Sequence, residues 1–275
     1  MRRRRVTNRS KKADRTGALV VTAIIASFVA ISLMLPQFYI SRININGLRV
    51  IDREKLIATG ELKTGKHLLY GINGSFKNVF SLRHTQSEQK LLKSLPYLKS
   101  VVIKSVFPSV LSVVLEERVE VAYISIEDGC VIIDANGIAL EVIERDNDLD
   151  IPVIEGIQAF KVMLGQKVAV DLADYLDQSI VLLNDIINAD KDARLEVKLL
   201  SCTTSIRPVQ DKIFFLTLNM PQNKEELIVK VKTDTGTPGK MTWLRYALQQ
   251  GSLSGYGKGV LDLTSTQRIF IPEKK

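Results

Sequence analysis

Apolar residues follow three different rhythms along the chain. From Gly17 to Ile40 the sequence GALVVTAIIASFVAISLMLPQFYI contains no charged residue. A helix of about 20 apolar residues spans a hydrocarbon core roughly 30 Å thick, so residues 17–39 are predicted to form a transmembrane helix. No polar face interrupts the run, as it would in a half-buried core helix. The run is also too long for the apolar core of a cleaved signal peptide, and it ends in Leu35-Pro36-Gln37-Phe38-Tyr39 without a small-residue cleavage site.

Beyond residue 40 the rhythm becomes alternating. Ile43, Ile45 and Leu48 alternate with polar residues up to the Asn46-Gly47 turn, which predicts a strand. Asp52 is placed to cap a short helix that Gly60 stops. Residues 61–84 read as a loop with Gly65, Gly71 and Gly74. Thr85 and Glu88 then begin a helix carrying Leu91, Leu92 and Leu95. Two strands follow, YLKSVVIKSVF and SVLSVVLEE, split by Pro108. The predicted order over residues 40–116 is β-α-α-β-β.

From residue 117 to 275 the pattern is mixed. Hairpin-type turns at Asp128-Gly129 and Asn136-Gly137 divide a series of strands. Leu172, Leu176, Ile180, Leu183 and Ile187 recur at helical spacing over 172–188. Strands are expected at about 194–201, 211–219 and 226–232, a helix at about 239–250, and two short strands in GVLDLTS and RIFIP. The fold class is therefore α+β: one membrane helix, a small β-α-α-β-β domain, and a mixed domain dominated by an antiparallel sheet.

Charge adds topology to this picture. Residues 1–16 hold eight of the 38 basic residues and one of the 30 acidic ones, so the remainder is nearly neutral. Arg2, Arg3, Arg4, Arg5, Lys11 and Lys12 form the flank that stays cytoplasmic beside a membrane span. The bulk of the chain is then extracytoplasmic. A basic stripe suited to nucleic acid is not indicated. Cys130 and Cys202 are the two cysteines. Both sit in apolar text where free thiols are the default, and a pairing between them stays open.

Candidate chemistry is sparse. His67 and His84 fall in the polar loop and are expected to be solvated, with no partners spaced for a triad or a metal. The Gly-Lys pairs at Lys240 and Lys258 do not fit the phosphate-loop pattern. Glu116 and Glu117 point to opposite faces of a strand. The acids Asp146, Asp148 and Asp150 read as a solvated linker. No catalytic residue, metal site or cofactor is predicted.

The residues carry a resemblance. Ile43-x-Ile45-x-Gly47, the helix from Asp52 to Gly60, and the strands around Ser100-Val101-x-Ile103 and Val110-Leu111-x-Val113 resemble the polypeptide-transport-associated (POTRA) domain. Glu117-Arg118 before Val121-Ala122, Ile133-Asp134-x-x-Gly137, Ile151-Pro152-x-Ile154-x-Gly156 and Leu261-Asp262-Leu263 extend the resemblance to the bacterial cell-division family FtsQ, also called DivIB. Glu120 stands where that family usually has proline. The resemblance implies a non-enzymatic, septal, single-pass membrane scaffold. Its expected partners are FtsB and FtsL or DivIC-type equivalents, other division proteins, and the bilayer through residues 17–39; no nucleic acid or small-molecule substrate is expected.

The implied organisation is a basic tail (1–16), a span (17–39), a POTRA domain (40–116) and a second domain (117–275). Little chain follows the last strand, so its edge is expected to stay open to a partner strand. The candidate contact residues are Leu261, Asp262, Leu263, Arg268, Ile269, Phe270 and Ile271, with Trp243 and Tyr246 on the preceding helix. The alternative class is a signal-anchored envelope enzyme or ligand-binding protein, which a pocket holding a ligand would favour.

Overall fold

The computed structural model describes residues 10–33, 35–72, 80–144, 149–210, 212–222, 225–256 and 258–273. Arg2, Arg3, Arg4, Arg5, Asp146 and Asp148 lie outside them. The chain divides into two compact units. The first comprises Met1–Leu91 with Ser100–Glu116, and the second Leu92–Lys99 with Glu117–Lys275.

The first helix, α1, runs over Ser10–Leu33. It starts earlier than expected, with Lys11 and Lys12 already in its first turn, and stops before residue 39. The physical cause of the stop is Pro36. Leu35 ahead of it is extended, with φ −64° and ψ 146°, and Pro36–Phe38 form a 3-10 turn. The side chains of Leu19, Val20, Val21, Ile24, Ile25, Phe28 and Ile31 are exposed along α1. Among the described residues no helix is long and apolar enough to cross a membrane. The expected span 17–39 includes residue 34 and the side chains at 29, 30, 32 and 33, which lie outside the description.

In the first unit, β1 (Arg42–Asn46), β3 (Val110–Glu117) and β2 (Leu98–Val106) form a three-stranded sheet in the order β1-β3-β2. β1 runs parallel to β3, with Ile43 opposite Leu111 and Ile45 opposite Val113. Alternation buries Leu111, Val113 and Leu115 from β3, and Val101 and Ile103 from β2. Leu56 of α2 (Arg53–Thr59) and Leu91 of α3 (Thr85–Ser94) join that core. Asp52 caps α2 as expected, its carboxylate accepting from Lys55 N at 2.9 Å. Gly47 turns the chain at φ +100°, where a Cβ would lie 2.0 Å from the Leu115 carbonyl oxygen.

The second unit is built on one large sheet. Its strands are β4 (Glu120–Ile126), β5 (Gly129–Asp134), β6 (Ala139–Ile143), β7 (Val153–Lys161), β8 (Ala169–Val170), β9 (Thr203–Gln210), β10 (Ile213–Asn219), β11 (Glu226–Lys232), β12 (Gly259–Asp262) and β13 (Ile269–Pro272). The order is β13-β12-β11-β10-β9-β7-β4-β5-β6, with β8 paired to β7. β4–β7, β7–β9 and β11–β12 are parallel; the other pairs are antiparallel, so the expected character holds. Helices α4 (Ala173–Ala189) and α6 (Thr237–Gln249) pack together. Leu176, Leu183, Met241 and Leu244 from these helices meet Phe214, Leu216, Val229 and Val231 from the sheet in one core.

One strand is misplaced by the sequence reading. The strand expected at 194–201 is absent. Leu199–Cys202 instead form the single-turn helix α5, and β9 begins at Thr203. The Asp190 carboxylate accepts from Leu199 N at 2.7 Å and Leu200 N at 2.9 Å. That side-chain cap gives this apolar stretch a local alternative to a sheet ladder.

Two quoted sequence markers meet in space. Arg118 Nη1 donates to Asp134 Oδ2 at 2.6 Å, while Asp134 Oδ1 accepts from Asn136 N and Ile138 N. One carboxylate thus holds the β5–β6 turn and pins the chain entering β4. Glu120 is also engaged: the Tyr97 hydroxyl lies 2.6 Å from its carboxylate and 2.9 Å from that of Glu141. Burial first, and then these two acids, push the Tyr97 hydroxyl pKa up.

Candidate partner-binding surface

The end of the second unit is a β-α-β-β run. β11 leads into α6, β12 returns parallel to β11, and β13 folds back antiparallel onto β12. Among the described residues β13 is the last strand of the sheet. Val260 lies opposite Ile271, and Asp262 opposite Ile269. Glu273 N donates to Lys258 O at 2.9 Å, and Leu263 N to Lys230 O at 2.8 Å. In an antiparallel ladder the N–H and C=O of successive residues point alternately to the two sides. Ile269, Ile271 and Glu273 therefore bond inward to β12. Phe270 points its N–H and C=O outward, and Pro272, also outward, has no N–H to offer.

Side chains divide just as cleanly. Phe270 is half-buried and stacks on Tyr256, with centroids 4.6 Å apart. Ile269 and Ile271 are about half exposed on the opposite face of the sheet. On that face Ile228, Val260 and Ile271 form a continuous cross-strand row. With Glu225, Glu226, Lys258 and Glu273 they line a hollow of about 600 Å³. This is an apolar strip with charged banks beside an open sheet edge.

Of the other expected contact residues, Leu261 and Leu263 are buried in the core. They anchor β12 to the core. Asp262 is half-buried and accepts from Thr264 N and Oγ1, at 2.8 and 2.6 Å. Burial alone would raise its carboxyl. The Thr264 hydrogen bonds and the charges of Lys230 and Lys240 outweigh that and hold it below the usual range. Trp243 is half-buried against the core, with the Arg268 guanidinium 4.1 Å from its ring centroid. Tyr246, one turn on, is exposed. With Asp192, Arg194, Leu195, Gly239 and Thr242 they line a groove of about 640 Å³ on the helical side of the sheet.

The residue that shapes this groove is Arg245, which sequence reasoning did not single out. Its side chain is fully buried. Nε donates to Val197 O, Nη1 to Ala189 O and Asp192 O, and Nη2 to Leu195 O, at 2.6–3.0 Å. Asp190 supplies the countercharge at 3.2 Å. The segment from 190 to 197 after α4 carries no helix or strand, and its inward carbonyls, with that of Ala189, need donors. A planar fork of five N–H groups supplies them from one position. The signal for it was an arginine at a core-facing helical position, between Leu244 and Ala247-Leu248.

Elsewhere, His84 corrects an expectation. It is buried, and its Nε2 lies 2.8 Å from Ser105 Oγ, which itself donates to Leu68 O. Nε2 is therefore the donor, and burial, partly opposed by Glu88, lowers the imidazole pKa. At the first Gly-Lys pair, Lys240 Nζ donates to Asp234 Oδ2 at 3.2 Å. Cys130 and Cys202 are free thiols. Among the described residues no cluster of His, Cys, Asp and Glu is arranged to hold a metal.

Comparison with known proteins bears on both units. Residues 38–118 match the family of FtsQ-type POTRA domains. The cell division protein DivIB of Clostridium acetobutylicum is 26% identical over 174 residues, which is 63% of each chain. The cell division protein FtsQ of Syntrophotalea carbinolica is 26% identical over 289 aligned positions, covering 93% of this chain and 96% of that one.

Proposed function

From its membership of the FtsQ/DivIB family of bacterial cell-division proteins, to which this chain belongs, we propose that it is a non-enzymatic, single-pass membrane scaffold of the division machinery. The apolar segment 17–39, much of it within α1, is the anchor, with the arginine-rich flank cytoplasmic and both folded units outside. The protein gathers at the septum, where the second unit holds FtsB together with FtsL, or their DivIC-type equivalents, and links them to other division proteins.

The observation that carries this reading is the open edge of β13 beside the Ile228–Val260–Ile271 row. A partner strand laid along β13 finds the Phe270 N–H and C=O for its backbone and the apolar row for its side chains. Trp243, Tyr246 and Arg268 offer a second contact on the helical side.

A proline scan tests the edge. Phe270→Pro removes the outward donor and the ring, while Phe270→Ala removes only the ring. The proline variant is expected to bind the purified FtsB–FtsL pair more weakly than the alanine variant by about 1 kcal/mol, roughly fivefold in Kd. Ile269→Pro deletes an inward bond instead, and is expected to loosen β13 itself. Equal affinities for Phe270→Pro and Phe270→Ala, both folded, would rule out strand addition here.

A further inference from the structure

We infer that the first unit rests on the membrane surface and binds the phosphate headgroups of anionic phospholipids through Arg42, Lys63 and Lys66, with Arg53 and Tyr70 beside them. The inference deepens the proposed anchoring by α1 and rests on it.

Three observations converge. The first is charge. A hollow of about 650 Å³ in this unit is lined by Arg42, Ile43, Arg53, Ile57, Leu62, Lys63 and Thr64, so three cations share it with no carboxylate. Arg53 donates Nη2 to Ile43 O at 3.1 Å, which fixes its guanidinium at the rim. Lys63 and Lys66 both border an adjoining hollow of about 530 Å³. Its one acid, Glu61, is already paired with Lys90. The cations are exposed and gathered on one side of the unit, which is how a surface recognises a plane of phosphates rather than a single ion.

The second observation is a leash. Residues 38–40 are stitched to residues 65–68. Ile40 N donates to Lys66 O, Gly65 N to Ile40 O and Leu68 N to Phe38 O, all at 2.8 Å, and Tyr39 bridges to His67. Phe38 follows Leu33, the last residue of α1, by only five positions. Even fully extended, five residues reach about 17 Å. Whatever angle the unit takes, Phe38 stays within that leash of the end of the anchor, and Lys66, bonded to Ile40, follows two residues behind it with Lys63 next along the strip. Headgroup layers are about 5–8 Å deep, and electrostatic attraction persists for about 8 Å more at physiological salt.

The third observation is aromatic. Tyr39, Tyr70 and Phe107 are exposed on this unit. Phe107 packs edge-on against Phe38, the residue where the chain enters the fold. Lys66 lies over the Tyr70 ring, with its Nζ 5.0 Å from the centroid. Tyrosine beside lysine is the pairing that suits a headgroup layer, with the ring at the boundary and the charge on phosphate.

The test uses the full-length protein in nanodiscs, made of phosphatidylcholine alone or with an equal part of phosphatidylglycerol. In a Cys130→Ala, Cys202→Ala background, Leu69→Cys carries an environment-sensitive fluorophore, and a shallow spin-labelled lipid serves as the quencher. Quenching at least twofold stronger in the anionic discs is expected. It should fall to the phosphatidylcholine level in the Arg42→Glu, Lys63→Glu, Lys66→Glu variant. It should fall likewise for the unmutated surface at about 0.5 M salt, which requires no folding of a variant. Equal quenching in both disc types, strong or weak, would overturn the inference. Protein that elutes free of discs would overturn the anchoring reading instead, and the inference with it.

Discussion

Replacing Arg245 tests most directly how the second unit is held together. Arg245→Met keeps an unbranched apolar stem and removes every donor. Four carbonyls, of Ala189, Asp192, Leu195 and Val197, lose the N–H groups that Arg245 gives them, Asp192 O keeping only Leu195 N at 3.4 Å, and Asp190 loses its countercharge. Breaking a buried ion pair from one side costs about 3–5 kcal/mol, and each stranded carbonyl that water cannot reach adds about 1 kcal/mol or more. Loop relaxation returns part of that, so a loss of about 4 kcal/mol is expected. Against a total stability of about 5–15 kcal/mol, this lowers the urea midpoint by about 2 M for a slope near 2 kcal/mol per M. Arg245→Lys keeps the charge but brings three donors, so it should lose about half as much. Trp243, the only tryptophan, sits two residues away and reports the transition by fluorescence in a fragment spanning residues 36–275. A methionine variant within about 1 kcal/mol of the parent would refute the reasoning, because the 189–197 carbonyls would then be finding water.

Two further outcomes concern the first unit. His84 is buried with its pKa below the ordinary value of about 6.5. The unfolded chain therefore takes up a proton that the folded chain refuses, and stability should fall as pH drops below about 6.5 and level off beneath the folded pKa. Thermal unfolding from about pH 7.5 to 5 checks this against His84→Gln, which keeps a donor for Ser105; identical pH slopes would contradict it. Gly47→Ala places a Cβ 2.0 Å from the Leu115 carbonyl at φ +100°, so it should cost at least about 2 kcal/mol. An unchanged melting temperature for the unit would show that the turn can move aside.

What could be read from the sequence follows from how local its causes are. β11 at 226–232, the Asp52 cap and the helix read at about 239–250 each declare themselves within a few residues, by alternation, by a capping side chain or by turn chemistry. α5 does not, because the carboxylate that starts it belongs to Asp190, nine residues back. His84 reads as a loop histidine until Ser105, 21 residues on, provides its acceptor. Arg245 is the extreme case, since its partners lie about 50 residues away and are backbone, which carries no residue-type signal. At the candidate surface, the period of two assigned Phe270 and the isoleucines to opposite faces. Which backbone groups point outward depends on the pairing with β12, and the burial of Leu261 and Leu263 depends on α6 covering that side of the sheet.

Pro272 has a consequence for crowding. Molecules confined to a plane and gathered in a narrow zone collide far more often than in solution, and an open strand edge invites identical edges to zip together. Two β13 strands meeting head to tail about Phe270 would set Arg268 of each against Pro272 of the other. One bond would then be missing on each side of the centre, and two guanidinium groups would be drawn into the seam. Such a pair lacks the continuous ladder that a growing sheet needs. Under the proposed strand addition, the same edge would take a strand of different sequence that centres on Phe270 and bends away before the proline. On that reading, high local density would not by itself turn this surface into a polymer.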